Sequence, residues 1–338
     1  MASISEYLEI IVGGKDLDYE QAKKLLDRIF EGEVPEVQIA AFLTALRVKG
    51  VVADELAGLA KSLRNHAVKV VTGNDYLIDI VGTGGSGKKT FNISTAAAFV
   101  AAGAGLHVAK HGNRGITSKC GSADVLAELG VNIEASPEVI AKCISGAGVG
   151  FMFAPKFHLA TKYVQPIRKS LGFGTVFNVL GPLANPADAK GLVIGVADES
   201  LMGMIAETMA RLGSERVMVV NSDGLDEIGI SGCTKIVEYT GTQKKEFSIT
   251  PEEFGMTRCD NDDIKGDGRA ENAKIIRDIL SGKERGGRRD VVLLNAAAGM
   301  IVGKLVDDFD KAITIARDSI DSGKAMESLE KLIVISNS

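Results

Sequence analysis

A chain of 338 residues, 45% hydrophobic and 25% charged, has the balance of a globular protein and the length for two domains. Its net charge of −5 excludes a broadly basic nucleic-acid-binding surface, and no apolar run approaches the ~20 residues that cross a bilayer. The first residues lack the basic and apolar segments of a secretion signal, and Cys120, Cys143, Cys233 and Cys259 form no Cys-x-x-Cys pair. A cytoplasmic protein with reduced thiols and no structural zinc is the expectation.

Residues 3 to about 67 predict four helices and no strand. Ile4, Tyr7, Leu8 and Ile11 recur at helical spacing before Gly13-Gly14. Asp18 with Gln21 forms a capping box ahead of Leu25, Leu26, Ile29 and Phe30. Pro35 suits a first helical position before Ile39, Phe42, Leu43 and Leu46, and Leu56, Leu59 and Leu63 mark the fourth helix. These faces predict a small bundle core and a subunit interface.

From Tyr76 short β-branched runs alternate with helices. Strands are predicted at Leu77–Val81, His107–Lys110, Gly150–Phe153, Leu192–Val196, Val217–Val220 and Lys235–Tyr239, with helices near 95–103, 122–129, 137–146, 158–172, 200–212, 270–281 and 289–303. Such alternation implies an α/β fold with a mostly parallel sheet covered by helices. Gly181-Pro-Leu-Ala-Asn-Pro186 reads as a rigid turn-rich connector. Asp260-Asn-Asp-Asp263 and Lys283-Glu-Arg-Gly-Gly-Arg-Arg289 read as solvated loops, since Ile264 and Lys265 stand where a calcium loop needs a ligand and a glycine.

The first of these strands runs into a loop with four glycines between Gly82 and Gly87, followed by hydroxyls at Thr90, Ser94 and Thr95 and an alanine-rich helix. Glycine lets backbone N–H groups converge on a phosphate, and the helix N-terminus adds partial positive charge. Gly82-x-Gly84-x-x-Gly87 fits a dinucleotide loop, but the next strand ends in Lys110-His111, not an acidic ribose ligand. Gly82-x-x-x-x-Gly87-Lys88 fits a nucleotide P-loop, but Lys89 stands where a Mg²⁺-binding hydroxyl belongs. A glycine-rich turn without a ligand is the remaining alternative.

Beyond that loop come Asn92-x-Ser94-Thr95, Lys110-His-Gly-Asn-Arg114, Ser118-Lys-Cys-Gly-Ser-Ala-Asp124, Phe153-Ala-Pro-Lys-Phe-His158, Arg168, Phe177-Asn-Val-Leu-Gly-Pro-Leu-Ala-Asn-Pro186 and Asp223-Gly-Leu-Asp-Glu227. In this order the set closely resembles the anthranilate phosphoribosyltransferase family, over nearly the whole chain. The resemblance implies a helical domain, residues 1–70 joined by 158–187, and an α/β domain, residues 71–157 and 188–338, of nucleoside-phosphorylase-like architecture. It implies transfer of phosphoribosyl from 5-phosphoribosyl 1-diphosphate to the amine of anthranilate, in tryptophan biosynthesis, by a homodimer paired through the helical domain. A pyrimidine-nucleoside-phosphorylase-like enzyme and a non-catalytic nucleic-acid-binding relative are the alternatives.

The resemblance also implies residue roles. Gly82, Gly85, Ser86, Thr90, Asn92, Ile93, Ser94 and Thr95 bind the phosphoribosyl diphosphate. Lys110, His111, Gly112, Asn113, Arg114, Gly115, Ile116, Thr117, Ser118, Lys119 and Ser122 complete its cradle, Lys110 offsetting leaving-group charge. Arg168 holds the anthranilate carboxylate, with Gly82, Asn113, His111 and His158 around the same substrate. Asp226 and Glu227, with Ser94, hold Mg²⁺ as two ions in a solvated cleft. No residue is assigned as a general acid or base. From residues alone, Asp226-Glu227 reads as surface charge and Arg168 as a surface arginine. One departure stands out: the family pattern Gly-Thr-Gly-Gly-Asp is here Gly82-Thr-Gly-Gly-Ser86.

Overall fold

The computed structural model describes residues 3–74, 76–115, 119–241 and 243–338. Its first four helices are Ile4–Val12, Tyr19–Phe30, Glu36–Lys49 and Ala53–Asn65. Asp18 and Gln21 cap reciprocally, side chain to backbone, as their spacing predicts. Pro35 is the cap residue itself, one position before the third helix. Leu25, Leu26, Leu43 and Leu56 are fully buried, so the apolar faces meet in a common core.

Seven strands follow: β1 (Ile78–Gly82), β2 (Val108–Gly112), β3 (Val149–Phe153), β4 (Gly191–Gly195), β5 (Arg216–Asn221), β6 (Thr234–Tyr239) and β7 (Lys244–Ile249). They form one sheet in the order β3-β2-β1-β4-β5-β6-β7. The first five in chain order run parallel, and β6 and β7 are antiparallel. β7 was not expected from sequence. It presents Lys244, Lys245 and Glu246 to solvent, so only its far end carries an apolar signal, and charge on an outer strand deters pairing with another chain.

Alternation along the central strands sends neighbouring side chains to opposite faces. Ile78, Ile80, Val193, Met218 and Val220 pack under helices Ile93–Gly103, Arg269–Leu280, Gly287–Val302, Phe309–Asp321 and Lys324–Ser336. Leu192, Ile194, Val217 and Val219 pack on helix Met202–Arg211 and share a core with the first four helices and with Val164, Ile167, Phe177 and Leu180. Residues 164–184 thus join the bundle's core, although they lie between β3 and β4 in sequence.

That middle segment corrects two expectations. The single helix over 158–172 is in fact one turn (Ala154–Phe157), a 3₁₀ turn (Leu159–Tyr163) and a short helix (Gln165–Leu171). Pro166 lies in the first turn of the last piece, where its missing N–H is tolerated, and it prevents a continuous helix from upstream. The expected connector begins inside a helix, Phe177–Leu183, with Pro182 near its end. Among the described residues no helix is long and apolar enough to cross a membrane.

The chain order decides where a ligand can sit. From β1 the chain builds outward through β2 and β3, then returns to place β4 on the other side of β1. Such a reversal leaves a crevice beyond the carboxyl ends of the two central strands.

Candidate active site at the carboxyl ends of the central strands

The reversal is filled by Asp226. Gly82 and Gly195, the last residues of β1 and β4, are register partners. A Cβ on Gly195 would lie 1.7 Å from the Asp226 carbonyl oxygen, and one on Gly82 would lie 2.4 Å from Asp226 Oδ2. Two glycines side by side therefore create the seat for the turn after β5. From that seat Asp226 Oδ2 accepts the Gly84 N–H at 2.8 Å, and Thr83 N–H donates to the Gly195 carbonyl at 2.9 Å. In the loop that follows, Gly84, Gly85 and Gly87 have φ of 74°, 84° and 68°, so backbone conformation demands glycine there. Ser86 is partly exposed, and Lys88 Nζ lies 3.6 Å from Asp223 Oδ2, tying loop to turn.

Ser94, Lys110 and Glu227 meet beneath this loop. Lys110, 2% exposed, donates from Nζ to the Ile80 carbonyl at 2.7 Å and to Ser94 Oγ at 3.3 Å. Burial lowers its pKa, while Asp79 and Glu227 oppose that shift. Glu227 is partly exposed, with Asp226, Ser94 and Lys110 close around its carboxyl. Loss of hydration, then the adjacent Asp226, raises its pKa to about 8, against Lys110 and hydrogen bonds from the Ser94 N–H and hydroxyl. Asp226 and Glu227 both keep partial exposure, so the pair lies at the mouth of the crevice, where the turn folds back onto Gly82 and Gly195. Among the described residues no three His, Cys, Asp or Glu side chains cluster as a metal cage. Two neighbouring carboxylates and a hydroxyl nonetheless fit Mg²⁺, which takes one or two carboxylates and completes its shell with phosphate oxygens and water.

The loop after β2 forms the facing wall. Asn113 O accepts from Ala123 N–H at 3.1 Å and Ser122 Oγ at 3.3 Å, and Asn113 Oδ1 accepts the Arg114 N–H at 2.8 Å. The chain doubles back so tightly that a Cβ on Gly121 would lie 2.4 Å from Gly115 N, and one on Gly112 would lie 2.1 Å from Ser122 Oγ. Ile116, Thr117 and Ser118 lie outside the described residues. Asn92 bridges the two loops: its Nδ2 donates to the Cys120 carbonyl at 3.3 Å, and its Oδ1 accepts from Asn272 at 2.9 Å. Thr90 pairs its backbone with Lys265, Ile93 is fully buried, and Thr95 is buried with an unpartnered hydroxyl.

His111 and His158 are each 4% exposed and stack edge to face, ring centroids 5.0 Å apart. They are interior groups in this structure, not side chains on an open channel wall. Burial pushes their pKa values down to about 3 and about 4, so both are neutral. Arg168 belongs to the helical side. It lies over the Phe177 ring at 5.4 Å and donates to Asn178 Oδ1 at 3.1 Å. Half-buried, it has spare donors in a planar fork, the geometry that suits a carboxylate.

Residues 74–326 match the α/β domain of a glycosyl transferase family, and residues 5–67 match its helical bundle domain. The anthranilate phosphoribosyltransferase of Chloroflexus aggregans is 47% identical over 336 residues, 99% of this chain and 98% of that one. The solved anthranilate phosphoribosyltransferase of Thermus thermophilus superimposes with a TM-score of 0.93 at 39% identity, over 98% and 99% of the two chains. The Saccharomyces cerevisiae enzyme, solved in complex with PRPP and Mg, gives 0.89 at 31% identity, over 99% and 98%. The chain belongs to the anthranilate phosphoribosyltransferase family.

Two carboxylates matter to the site to which the sequence reading gave no role. Asp124, 3% exposed, accepts the Gly115 and Gly121 N–H groups at 2.9 and 3.0 Å and pairs with Arg114 and Arg269, each at 3.0 Å. Burial works to raise its pKa, but these partners together hold it below the usual range. Its position three residues after Gly121, at the start of helix Ser122–Glu128, was the available signal. Asp79, fully buried on β1, accepts from Asn185 Nδ2 at 2.8 Å and the His111 N–H at 3.3 Å. Burial raises its pKa to about 6 against the nearby Lys110 and these hydrogen bonds. Asn185 also donates to the Ala109 carbonyl at 2.8 Å, so this pair anchors the 181–186 connector beneath His111.

Proposed function

We propose that the crevice around Gly82, Ser94, Lys110 and Asp226-Glu227 binds 5-phosphoribosyl 1-diphosphate and that Arg168 presents anthranilate to it. The observation that carries this is the convergence on one crevice of a glycine loop, a helix start and an adjacent carboxylate pair.

The reaction breaks the C1–O bond to pyrophosphate and forms a C1–N bond to the anthranilate amine, whose proton leaves to water or to the departing diphosphate. Positive charge grows at the sugar ring as negative charge collects on the leaving group. A neutral aromatic amine is already nucleophilic, so positioning and electrostatics dominate and no general base is assigned. The backbone of Gly82 to Gly87, Ser86, Thr90 and the start of helix Ile93–Gly103 cradle phosphate. Asn92 and the loop from His111 to Ser122 close the other side. Lys110 Nζ sits buried beneath Ser94, placed to offset leaving-group charge at the helix start.

Asp226, Glu227 and Ser94 would hold Mg²⁺, with two ions proposed. Bound there, the metal supplies positive charge that binds the diphosphate and eases its departure. Ser86 leaves the loop without the carboxylate that the family pattern places there, so Lys88 and backbone N–H groups carry more of that loop's phosphate binding. Arg168 anchors the anthranilate carboxylate, and Asn113 and Gly82 face its amine. His111 and His158 support this wall from within as neutral rings. Two copies pair through the helical bundle, whose Val12, Val37 and Val48 are 73%, 81% and 82% exposed. A cytoplasmic location agrees with the absence of a described membrane-spanning helix.

Loss of anthranilate fluorescence with equimolar pyrophosphate release, dependent on Mg²⁺, tests the assignment. Phosphorolysis of a pyrimidine nucleoside without any use of anthranilate would overturn it. Arg168→Ala should cut kcat/KM for anthranilate at least about tenfold, the worth of a charge-assisted hydrogen bond. An equal loss for both substrates would remove Arg168 from its proposed role.

A further inference from the structure

The segment from Ile264 to Asn272 carries no group assigned to either substrate, yet it touches both loops that do. On the β1 side, Phe91 N–H donates to the Ile264 carbonyl at 3.1 Å, and Gly266 N–H donates to the Lys89 carbonyl at 3.1 Å. Asn272 Nδ2 donates to Asn92 Oδ1 at 2.9 Å. On the β2 side, Asp267 pairs with Lys119, and Arg269 pairs with Asp124, the carboxylate that gathers Gly115 and Gly121. The fit is close. A Cβ on Gly266 would lie 2.1 Å from Asn272 Oδ1 and 2.8 Å from Phe91 Cα, so only glycine passes between them.

The segment is itself anchored from behind. Arg288 donates to the Asp263 and Lys265 carbonyls at 3.0 and 3.1 Å, and Arg289 pairs with Asp321 at 2.7 Å. The two charge runs expected to be solvated loops are therefore one connected unit. It reaches from the last helices of the chain to the lips of the phosphate cradle.

We propose that residues 264–272 form a brace that fixes the spacing of the two phosphate loops, with Arg269 and Asn272 as positioning residues for phosphoribosyl diphosphate. The proposal rests on the functional reading above. A loop that is held in place before the ligand arrives spends less binding energy on ordering, and groups behind the binding shell supply that hold. Arg168 and its surroundings belong to the helical side and make none of these contacts. Loosening the brace should therefore weaken phosphoribosyl diphosphate far more than anthranilate, which meets these loops only at Gly82 and Asn113.

The test is calorimetric titration of the full-length protein with phosphoribosyl diphosphate in Mg²⁺, and with anthranilate, alongside thermal unfolding. Asn272→Ala should weaken phosphoribosyl diphosphate about tenfold, since a buried hydrogen bond is lost and Asn92 Oδ1 keeps only the weaker Cys120 Sγ donor at 3.5 Å. Arg269 is exposed, so Arg269→Ala folds safely; it should weaken the same ligand about threefold, in the range of a surface-facing ion pair, with Arg269→Lys restoring most of the loss. Anthranilate affinity should change less than twofold in all three. Unchanged phosphoribosyl diphosphate affinity in Asn272→Ala and Arg269→Ala overturns the brace. So does equal weakening of both ligands in step with the melting temperature. If the unaltered protein binds phosphoribosyl diphosphate but never consumes anthranilate, the functional reading falls while the same titrations still decide the brace.

Discussion

The loops after β1 and β2 serve one crevice but are built in different ways. The first takes its shape from what its glycines lack. Gly195 leaves room for the backbone of Asp226 and Gly82 for its carboxylate, and Gly84, Gly85 and Gly87 adopt φ angles that other residues avoid. The second takes its shape from one side chain. Asp124 gathers two N–H groups and two arginines, and the chain folds around it. A site made from backbone shows in sequence as glycine spacing next to a strand. A site made around a buried carboxylate shows only as an ordinary helix-start residue, because its partners are brought by the fold.

That contrast predicts different failures. Gly195→Ala should be the most damaging, since its methyl would overlap the Asp226 carbonyl and push the whole turn out of its seat. Overpacking of this kind costs about 1–3 kcal/mol or more, and displacement of the proposed Mg²⁺ pair should lower kcat by about a hundredfold or more, given how steeply catalysis depends on placement. Near-normal turnover in Gly195→Ala would break the claim that a glycine seat organises the first loop.

Asp124→Asn keeps the shape of the second loop's organiser but removes its charge. Each carboxylate oxygen serves two donors, so the NH2 that replaces one of them leaves two donors without their acceptor. A loss of about 1–3 kcal/mol follows, with KM for phosphoribosyl diphosphate raised about tenfold and KM for anthranilate little changed. Steady-state kinetics with each substrate varied in turn would show this. A variant indistinguishable from the original would mean that backbone alone shapes this loop too.

The smallest effect separates the histidines from either loop. His111 and His158 are neutral in the fold, with pKa values of about 3 and about 4, while an unfolded chain protonates them near 6.5. The unfolded state therefore binds the extra protons, so their stabilising effect is full above pH 6.5 and is lost as pH falls toward 4. Each contributes a slope of about 1.4 kcal/mol per pH unit in that window. Denaturant unfolding at stepped pH should show the slope, and His158→Gln should remove part of it. A slope unaffected by that substitution would place the ring in water rather than in the interior.

Much of the fold could be anticipated from residue patterns. The four opening helices announced themselves through Asp18-Gln21 and regular leucines, and six strands through short β-branched runs. β7 escaped because an outer strand with Lys244, Lys245 and Glu246 gains little from burial. The 154–184 stretch escaped because Pro155, Pro166 and Pro182 cut it into pieces shorter than a periodic pattern can show. At the site, Gly82, Ser94, Lys110 and Asp226 stood out or were supplied by resemblance. Arg269 and Asn272 did not, since each matters through a partner far away in sequence, and Asp124 closed a recognised motif without a role of its own. The interior placement of His111 against His158 depends on the same distant packing.

The central claim is that the seat at the strand reversal holds the Asp226-Glu227 pair as a Mg²⁺ site for phosphoribosyl diphosphate. Titration of that ligand with and without Mg²⁺, in the original protein and in Asp226→Ala/Glu227→Ala, tests it most directly. The account predicts that Mg²⁺ strengthens binding in the original by about tenfold or more and has almost no effect in the double variant, which loses both carboxylate ligands. Equal strengthening by Mg²⁺ in the two proteins would contradict it.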